Sequence, residues 1–272
     1  MHRCLAWVAV CLTWIVGPTI ARAGKLGAMR SETQESGSSD SSGSSGSSDS
    51  SGSSSEVASS FGAALGEAMV EAYVETVRRL YTRYPYADGE IGFVRIVDPE
   101  AEDPIGQRFA GTFTVDGGYL SPTLGRLGVG TELMVRRFGL AVDLSPHLET
   151  APLDALWLGN ASLLVAVVLL PRWQAYAGIG VNAMVDGRVV PPAERVDTAG
   201  VNGTFRTTVL PVEPLVLRGR VDVGRLGAAP TLLGRATAGA MLGRVELFGG
   251  YELRRVGKVS VHGPTAGMRV WF

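Results

Sequence analysis

Residues 266–272 close the chain with the sequence AGMRVWF, in which apolar residues alternate with small or polar ones. In a β-strand, successive side chains point to opposite faces of the sheet. Met268, Val270 and Phe272 therefore share one face, while Gly267 and Arg269 share the other. A strand with one face suited to lipid and the other suited to water is what a membrane-spanning barrel needs at its closing seam.

This ending resembles the carboxy-terminal signature of Gram-negative outer-membrane β-barrel proteins, a family that includes small barrels and porins. In that family, apolar residues alternate backwards from a final Phe, and the barrel-assembly machinery reads the motif. The resemblance implies that Met268, Val270 and Phe272 are the assembly signal. It also implies a location in the cell outer membrane, with outer-membrane lipids as partners, but no particular activity. The competing interpretation is a soluble periplasmic sandwich or lipocalin-like barrel that ends on an edge strand.

The same alternation extends over residues 107–272, where turn residues divide the sequence at intervals typical of barrel strands. We therefore predict an all-β fold, a single antiparallel transmembrane β-barrel of about ten strands. Residues 90–97 could add a further strand, which gives a range of about 8 to 12. The predicted strands are residues 109–120, 126–136, 138–147, 158–170, 173–185, 203–210, 214–226, 231–242, 244–254 and 263–272.

The connections between the predicted strands alternate in length. Tight connections are predicted at residues 136–139, 170–173, 210–214 and 242–244. Longer connections, richer in polar residues, Gly and Pro, are predicted at residues 149–155, 186–202 and 255–262. Short periplasmic turns and long outer loops are typical of outer-membrane barrels, and an even strand number leaves both termini in the periplasm. The outer loops, above all residues 186–202, are the predicted binding surface.

Residues 1–23 have the pattern of a secretory signal peptide. A short basic start is followed by an apolar stretch at residues 5–20 and by a small-x-small site at residues 21–23. We predict cleavage after Ala23. Cleavage would remove both cysteines of the chain, so no disulfide or thiolate chemistry is expected in the mature protein.

Three segments precede the predicted barrel domain, residues 107–272. Residues 24–58 are predicted to be a disordered Ser/Gly-rich linker, because a tract of Ser, Gly and Asp has no apolar surface to bury. Residues 59–84 are predicted to be an amphipathic helix, because apolar residues recur every three or four positions until Pro85. Residues 85–106 form the connector. The helix either packs on its own domain or lies as a plug in or under the barrel lumen.

Charged residues collect on the strand faces that are predicted to point into the barrel. Five acids and six arginines have this parity, and they can neutralise one another across a narrow lumen. They are Glu132, Arg136, Asp143, Arg218, Arg220, Asp222, Arg235, Glu246, Glu252, Arg254 and Arg269. The first interpretation is an ion-paired core, because barrels of about eight strands are filled by side chains. The alternative is a narrow channel whose charged rings select solutes.

Few residues after position 23 are suited to catalysis. His147 is predicted to be a solvated loop residue. Ser260 and His262 share a strand face and could approach Glu252 across a hairpin, which keeps a lipid-modifying enzyme as an alternative. Their order matches no barrel-lipase motif. We therefore predict no enzyme activity and no catalytic residues.

The chain also lacks sequence patterns for cofactors and nucleic acid. No cluster of His, Asp and Glu at ligand spacing predicts a metal site, and no Gly-rich phosphate loop predicts a bound nucleotide. The formal net charge of −1 argues against nucleic acid as a partner. The predicted function is a structural or surface-interaction role in the outer membrane. The alternatives are a narrow porin-like channel for small solutes and an outer-membrane lipid-modifying enzyme.

Overall fold

The fold is that of a computed structural model, which describes residues 24–35, 78–97, 106–150, 153–188 and 195–272. The predicted signal peptide, residues 1–23, lies outside the described residues. So do residues 36–77, which hold the Ser/Gly tract and most of the predicted amphipathic helix.

Ten antiparallel strands form a closed barrel in which each strand is hydrogen-bonded to its sequence neighbours and the last strand pairs with the first. Strands β1 (Arg78–Tyr81) and β2 (Val94–Val97) form a separate hairpin. The barrel strands are β3 (Phe109–Ser121), β4 (Leu124–Val135), β5 (Phe138–Thr150), β6 (Leu153–Leu169), β7 (Trp173–Asp186), β8 (Thr198–Val209), β9 (Leu215–Leu226), β10 (Ala229–Leu242), β11 (Val245–Val256) and β12 (Val259–Trp271). The predicted all-β class and the strand number are confirmed.

The carboxy-terminal strand closes the barrel, as its alternating sequence predicts. In the seam between β12 and β3, Arg269 lies opposite Thr114 and Met268 lies opposite Val115. The pairing continues to the last residue, because the amide of Phe272 donates to the carbonyl of Gly111 at 2.9 Å. Met268 and Phe272 are exposed on the outer face, with relative exposures of 45% and 41%.

The predicted alternation of short and long connections is only partly right. Strands β5 and β6 pair up to Thr150 and Leu153, and strands β11 and β12 pair up to Val256 and Val259. Only two residues therefore separate the paired strands where long connections are predicted, at 149–155 and 255–262, because backbone pairing continues past the last clear alternation. The connection at residues 187–197 remains long.

The barrel has two ends, which we call the terminal mouth and the distal mouth. The terminal mouth carries Phe109, Phe272 and the turn at residues 136–137. The distal mouth carries the turns at residues 122–123 and 257–258, together with residues 187–188 and 195–197, the described ends of the connection between β7 and β8.

The outer surface of the barrel is apolar over nearly its whole height. Large aliphatic and aromatic side chains alternate outward along the strands, among them Phe113, Leu127, Val129, Leu140, Leu144, Ile179, Val181, Phe205, Val221 and Leu247. Within the barrel strands, Arg225 and Arg255 are the only Lys, Arg, Asp or Glu side chains on the outward face. Each is the penultimate residue of its strand, so both lie at the distal rim.

A short helix, α1 (Lys25–Glu35), lies inside the distal mouth. The prediction of a disordered linker at residues 24–58 is therefore wrong for its first part. Leu26, Met29, Arg30 and Thr33 follow the i, i+3, i+4, i+7 spacing of one helix face, and all four are buried. The helix forms here because the barrel supplies partners for that face. No described helix is long and apolar enough to span a bilayer.

A two-stranded hairpin, β1 (Arg78–Tyr81) and β2 (Val94–Val97), occupies the terminal mouth and does not join the barrel sheet. The prediction of a helix at residues 59–84 is therefore wrong at its end, since β1 pairs with β2 and Tyr81 also bridges to Gln107. Both partners lie downstream of the predicted helix, β2 in the predicted connector and Gln107 at the start of the predicted barrel domain, so local periodicity could not reveal them. A single 3-10 turn, Ala87–Gly89, lies between the two strands.

The interior contains two apolar layers, one at each mouth, with charged side chains between them. The hairpin contributes to the layer at the terminal mouth, which includes Tyr81, Phe93, Met134, Leu164, Met241 and Trp271. Helix α1 contributes to the layer at the distal mouth, which includes Leu26, Met29, Leu124, Leu156, Met184 and Val261. Between these layers lies a belt of charged side chains, which we call the charged waist.

Candidate functional site: the ion-paired lumen

One part of the charged waist is centred on Glu252, which is fully buried. Its carboxylate accepts hydrogen bonds from Arg235, forms an ion pair with Arg126 at 2.9 Å, and lies 3.4 Å from Arg254. Asp116 joins the group by pairing with Arg126 at 2.8 Å and with Arg235 at 2.5 Å. Arg126 and Arg235 therefore bridge two carboxylates from different strands.

A second part of the waist links strands β4, β5, β8 and β9. Arg206 bridges Glu132 at 2.5 Å and Asp143 at 2.9 Å. Arg218 also pairs with Glu132, and Arg220 also pairs with Asp143, at 2.7 Å. These contacts cross the lumen, because β4 and β9 lie on opposite sides of the ten-strand barrel and β5 and β8 are three strands apart.

Asp222 and Glu246 complete the set of waist acids. Arg220 donates from Nε to Asp222 at 2.9 Å, and the two side chains form an ion pair at 2.6 Å. Glu246, which is fully buried, accepts from Arg269 at 2.7 Å and from the indole N–H of Trp271 at 3.0 Å. The guanidinium of Arg269 also lies over the ring of Phe248, 4.8 Å from its centroid.

Opposite charges in the waist are closely balanced. Removing a carboxylate from water costs several kcal/mol, and only close pairing with good geometry offsets that cost. Arginine suits this role because its planar guanidinium can donate to two carboxylates at once. The acids of the waist are Asp116, Glu132, Asp143, Asp222, Glu246 and Glu252, and its arginines are Arg126, Arg206, Arg218, Arg220, Arg235, Arg254 and Arg269. Such a belt presents little net charge to a passing ion.

Little free space remains within the waist. The cavity that Asp116, Glu132, Arg206 and Arg220 help to line has a volume of about 120 Å³. A buried water needs at least about 10–15 Å³ of such volume, so the space holds a handful of water molecules. The described residues therefore leave no wide aqueous path along the barrel axis.

Ten of the eleven charged residues that the sequence assigns to the lumen lie in the waist. The exception is Arg136, and its prediction is wrong. It occupies the turn between β4 and β5 with a φ of 55°, and its side chain is exposed. The strand parity that places Arg136 inward ends at Val135, so the alternation no longer applies to it.

Three residues of the charged waist were not predicted from the sequence: Asp116, Arg126 and Arg206. A usable signal exists for Arg206, because it alternates with Thr204 and Thr208 on one strand face, and all three are buried. Asp116 likewise has the parity of Thr112, which is also buried. Arg126 stood at the predicted start of its strand, where parity is least certain, but β4 begins at Leu124.

The two described histidines, His147 and His262, do not come together with the predicted partners Ser260 and Glu252 in one catalytic group. His147 is fully buried in the lumen, with Nδ1 2.9 Å from the carbonyl of Ser145, so the prediction of a solvated loop residue is wrong. Ser260 and His262 are on the outer face, and His262 contacts the hydroxyl of Tyr251 at 2.5 Å. Glu252 points into the lumen and is not brought to them. The described residues contain no cluster of three potential metal ligands.

The hairpin is held in the terminal mouth by aromatic side chains. The hydroxyl of Tyr81 donates to the carbonyl of Arg136 at 2.7 Å and lies 3.3 Å from the hydroxyl of Tyr176. Burial raises the pKa of Tyr81 to about 12, against the opposing effect of the hydrogen bond with Tyr176. The ring of Phe93 packs edge-on against Trp271, with 4.9 Å between centroids. This mouth is therefore filled by packed rings with satisfied hydroxyl groups.

Helix α1 is held in the distal mouth by a buried arginine. Arg30 is 4% exposed, and its guanidinium pairs with Asp154 at 2.5 Å and with Asp186 at 3.1 Å. It also donates to the carbonyl of Ala155 at 2.7 Å. Asp186 accepts in addition from Arg188 at 2.6 Å. The helix is thus fixed by charge pairing as well as by the apolar layer beneath it.

Comparisons with known proteins show little resemblance. No protein-family model matches the sequence, and no curated protein has a matching sequence. Among solved structures, the chain is similar to CdiB from Acinetobacter baumannii, with a TM-score of 0.35 and 12% sequence identity. The matched region covers 67% of this chain and 44% of CdiB, so the chain spans less than half the length of that protein.

Proposed function

We propose that this chain is an outer-membrane β-barrel protein with a structural or surface-interaction role and a lumen closed by its own residues. In this proposal the barrel-assembly machinery inserts it, lipid surrounds the ten strands, and the turns of the distal mouth face the outside. The observation that carries the proposal is the combination of an apolar outer surface with a charged interior. A water-soluble barrel has the opposite distribution of polarity.

The outer surface supports insertion into lipid. A Lys or Arg that faces lipid at the bilayer midplane costs about 2 to 4 kcal/mol, and the cost falls near the interfaces. The outward-facing arginines, Arg225 and Arg255, lie at the distal rim, where headgroups would meet the barrel. Arg255 is further satisfied there by donating to the carbonyl of Gly257 at 2.9 Å.

The filled interior supports a structural or binding role over transport. Helix α1 occupies one mouth, the β1–β2 hairpin occupies the other, and the charged waist between them leaves a cavity of about 120 Å³. A porin-like channel would require both caps to move and the ion pairs to separate. The distal turns and the connection at residues 187–197 are then the surface on which a partner would act.

Planar-bilayer recording on the mature protein tests this proposal. The intact protein is expected to insert, as judged by protection of its strands from protease, and to give no single-channel openings. A control carrying Arg225→Gln, a rim substitution remote from the lumen, should be equally silent. Regular openings by the inserted wild-type protein would contradict the closed lumen, and failure to enter bilayers at all would contradict the membrane assignment.

A further inference from the structure

The carboxylate of Glu149 is placed differently from the other acids inside the barrel. It is fully buried, near the distal end of β5. Each of the other buried acids in the lumen and distal mouth pairs with at least one arginine, as Asp154 and Asp186 do with Arg30. Among the described residues, Glu149 forms no ion pair with a lysine, arginine or histidine side chain.

Glu149 is directed at the start of α1. Its Oε1 accepts from the backbone nitrogen of Gly24 at 3.1 Å and of Lys25 at 3.2 Å, and its Oε2 accepts from that of Leu26 at 3.1 Å. The first N–H groups of a helix have no partner within the helix, and a carboxylate is well suited to receive them. These three bonds leave a full negative charge with no formal positive charge beside it.

The predicted signal-peptide cleavage would place a positive charge on the nitrogen of Gly24, the atom that donates to Oε1 of Glu149. The small-x-small site at residues 21–23 predicts cleavage between Ala23 and Gly24. Hydrolysis of that amide bond adds water: the oxygen becomes part of the carboxylate of Ala23, and the nitrogen of Gly24 becomes a free amine that takes up a proton. Free α-amino groups titrate at about 7.7 to 8.0, so this amine is largely protonated at neutral pH.

We propose that the α-ammonium group of Gly24, created by cleavage after Ala23, is the ion-pair partner of buried Glu149 and locks α1 into the distal mouth. This inference rests on the proposed function only in requiring export of the chain. The processed amino terminus is therefore a structural group of the barrel. The closed distal mouth belongs to the mature protein, because an uncleaved chain has a neutral amide at this position.

A double-mutant cycle tests the pairing. Four proteins are folded in detergent micelles after removal of a cleavable tag: chains beginning at Gly24 or at an additional Ala before Gly24, each with Glu149 or with Glu149→Gln. Hydrogen–deuterium exchange of residues 24–35 reports the opening of α1. The extra Ala is expected to speed exchange by about tenfold or more when Glu149 is present, as close charge pairs show in such cycles. With Glu149→Gln it should change exchange by less than about twofold.

An equal effect of the extra Ala in both backgrounds would overturn the proposal. So would mass spectrometry of the exported protein showing that its first residue is not Gly24. If Glu149→Gln does not fold, an amine-acylating reagent is used on the wild-type chain at neutral pH. The folded protein should react at its α-amino group about tenfold more slowly than the unfolded chain, by the same reasoning. Equal rates would overturn the proposal, and none of these readouts depends on bilayer conductance.

Discussion

At the scale of single residues, the interior depends on buried acids that each contact several arginines. Glu252 is fully buried and meets Arg126, Arg235 and Arg254. Removing one partner of a buried pair is costly because the remaining charges lose their compensation, even where the pair as a whole adds little net stability. The waist therefore tolerates the loss of an acid poorly.

The substitution Glu252→Gln tests this dependence. It keeps the size of the side chain but leaves three arginines without that carboxylate, so the free energy of unfolding is expected to fall by about 3 to 5 kcal/mol. Urea unfolding of the protein in lipid vesicles, followed by tryptophan fluorescence, gives the measurement. The matched control is Arg225→Gln, an outward rim residue, which should change the free energy of unfolding by no more than about 0.5 kcal/mol. Similar values for both variants would contradict the role of the waist.

Residue positions inside the barrel were largely predictable from sequence, because strand parity is a local property. Ten of the eleven charged residues predicted in the lumen have the strand parity that points inward. The prediction for Arg136 is wrong because this residue belongs to a turn. The pairing itself was not predictable. Arg206 and Glu132 lie 74 positions apart, and only closure of the barrel brings them together.

At the scale of elements, the barrel strands are determined by their local sequence, whereas α1 and the β1–β2 hairpin depend on contacts with distant residues. Each barrel strand carries its own period-two alternation and pairs with the next strand along the chain, so the sequence predicts it well. Helix α1 and the β1–β2 hairpin are stabilised by distant parts of the barrel, such as Asp154 for Arg30 and Trp271 for Phe93. Nothing within 24–35 or 78–97 alone shows that these segments close the mouths.

The hairpin in the terminal mouth requires glycine at position 92. The φ of Gly92 is +120°, and a Cβ at this position would collide with the backbone carbonyl of Pro171, the group that accepts from the amide of Phe93 at 2.9 Å. Gly92→Ala is therefore expected to loosen the hairpin and to raise hydrogen–deuterium exchange of residues 78–97 by about tenfold or more, since strain at such a φ alone costs roughly 1 to 2 kcal/mol.

Gly89→Ala is the matched control for that substitution. Gly89 also has a positive φ, +75°, but a Cβ there meets nothing within 4 Å. The Gly89→Ala variant introduces backbone strain without a collision. Its effect on hydrogen–deuterium exchange should therefore be clearly smaller than that of Gly92→Ala. Equal exchange in the two variants would show that the close approach of Gly92 to the carbonyl of Pro171 does not hold the hairpin in place.

At the scale of the whole molecule, the barrel places apolar side chains outside and charges inside, with an apolar cap at each mouth. This distribution follows from the strand alternation together with closure, because closure assigns every strand face either to the outside or to the lumen. It also assigns the tryptophans of the described chain to different environments. Trp157 and Trp173 are 42% and 46% exposed on the outer face, whereas Trp271 is 2% exposed beside Glu246.

Quenching of tryptophan fluorescence by lipids with brominated acyl chains tests this arrangement most directly. Mature-chain variants that keep one of Trp157, Trp173 and Trp271, with Phe at the other two positions, are reconstituted into such vesicles and into ordinary ones. Strong quenching of Trp157 and Trp173 by the brominated lipid and almost none of Trp271 is expected. Weak quenching of both outer tryptophans, or quenching of Trp271 as strong as theirs, would contradict a lipid-embedded barrel with a closed, ion-paired lumen.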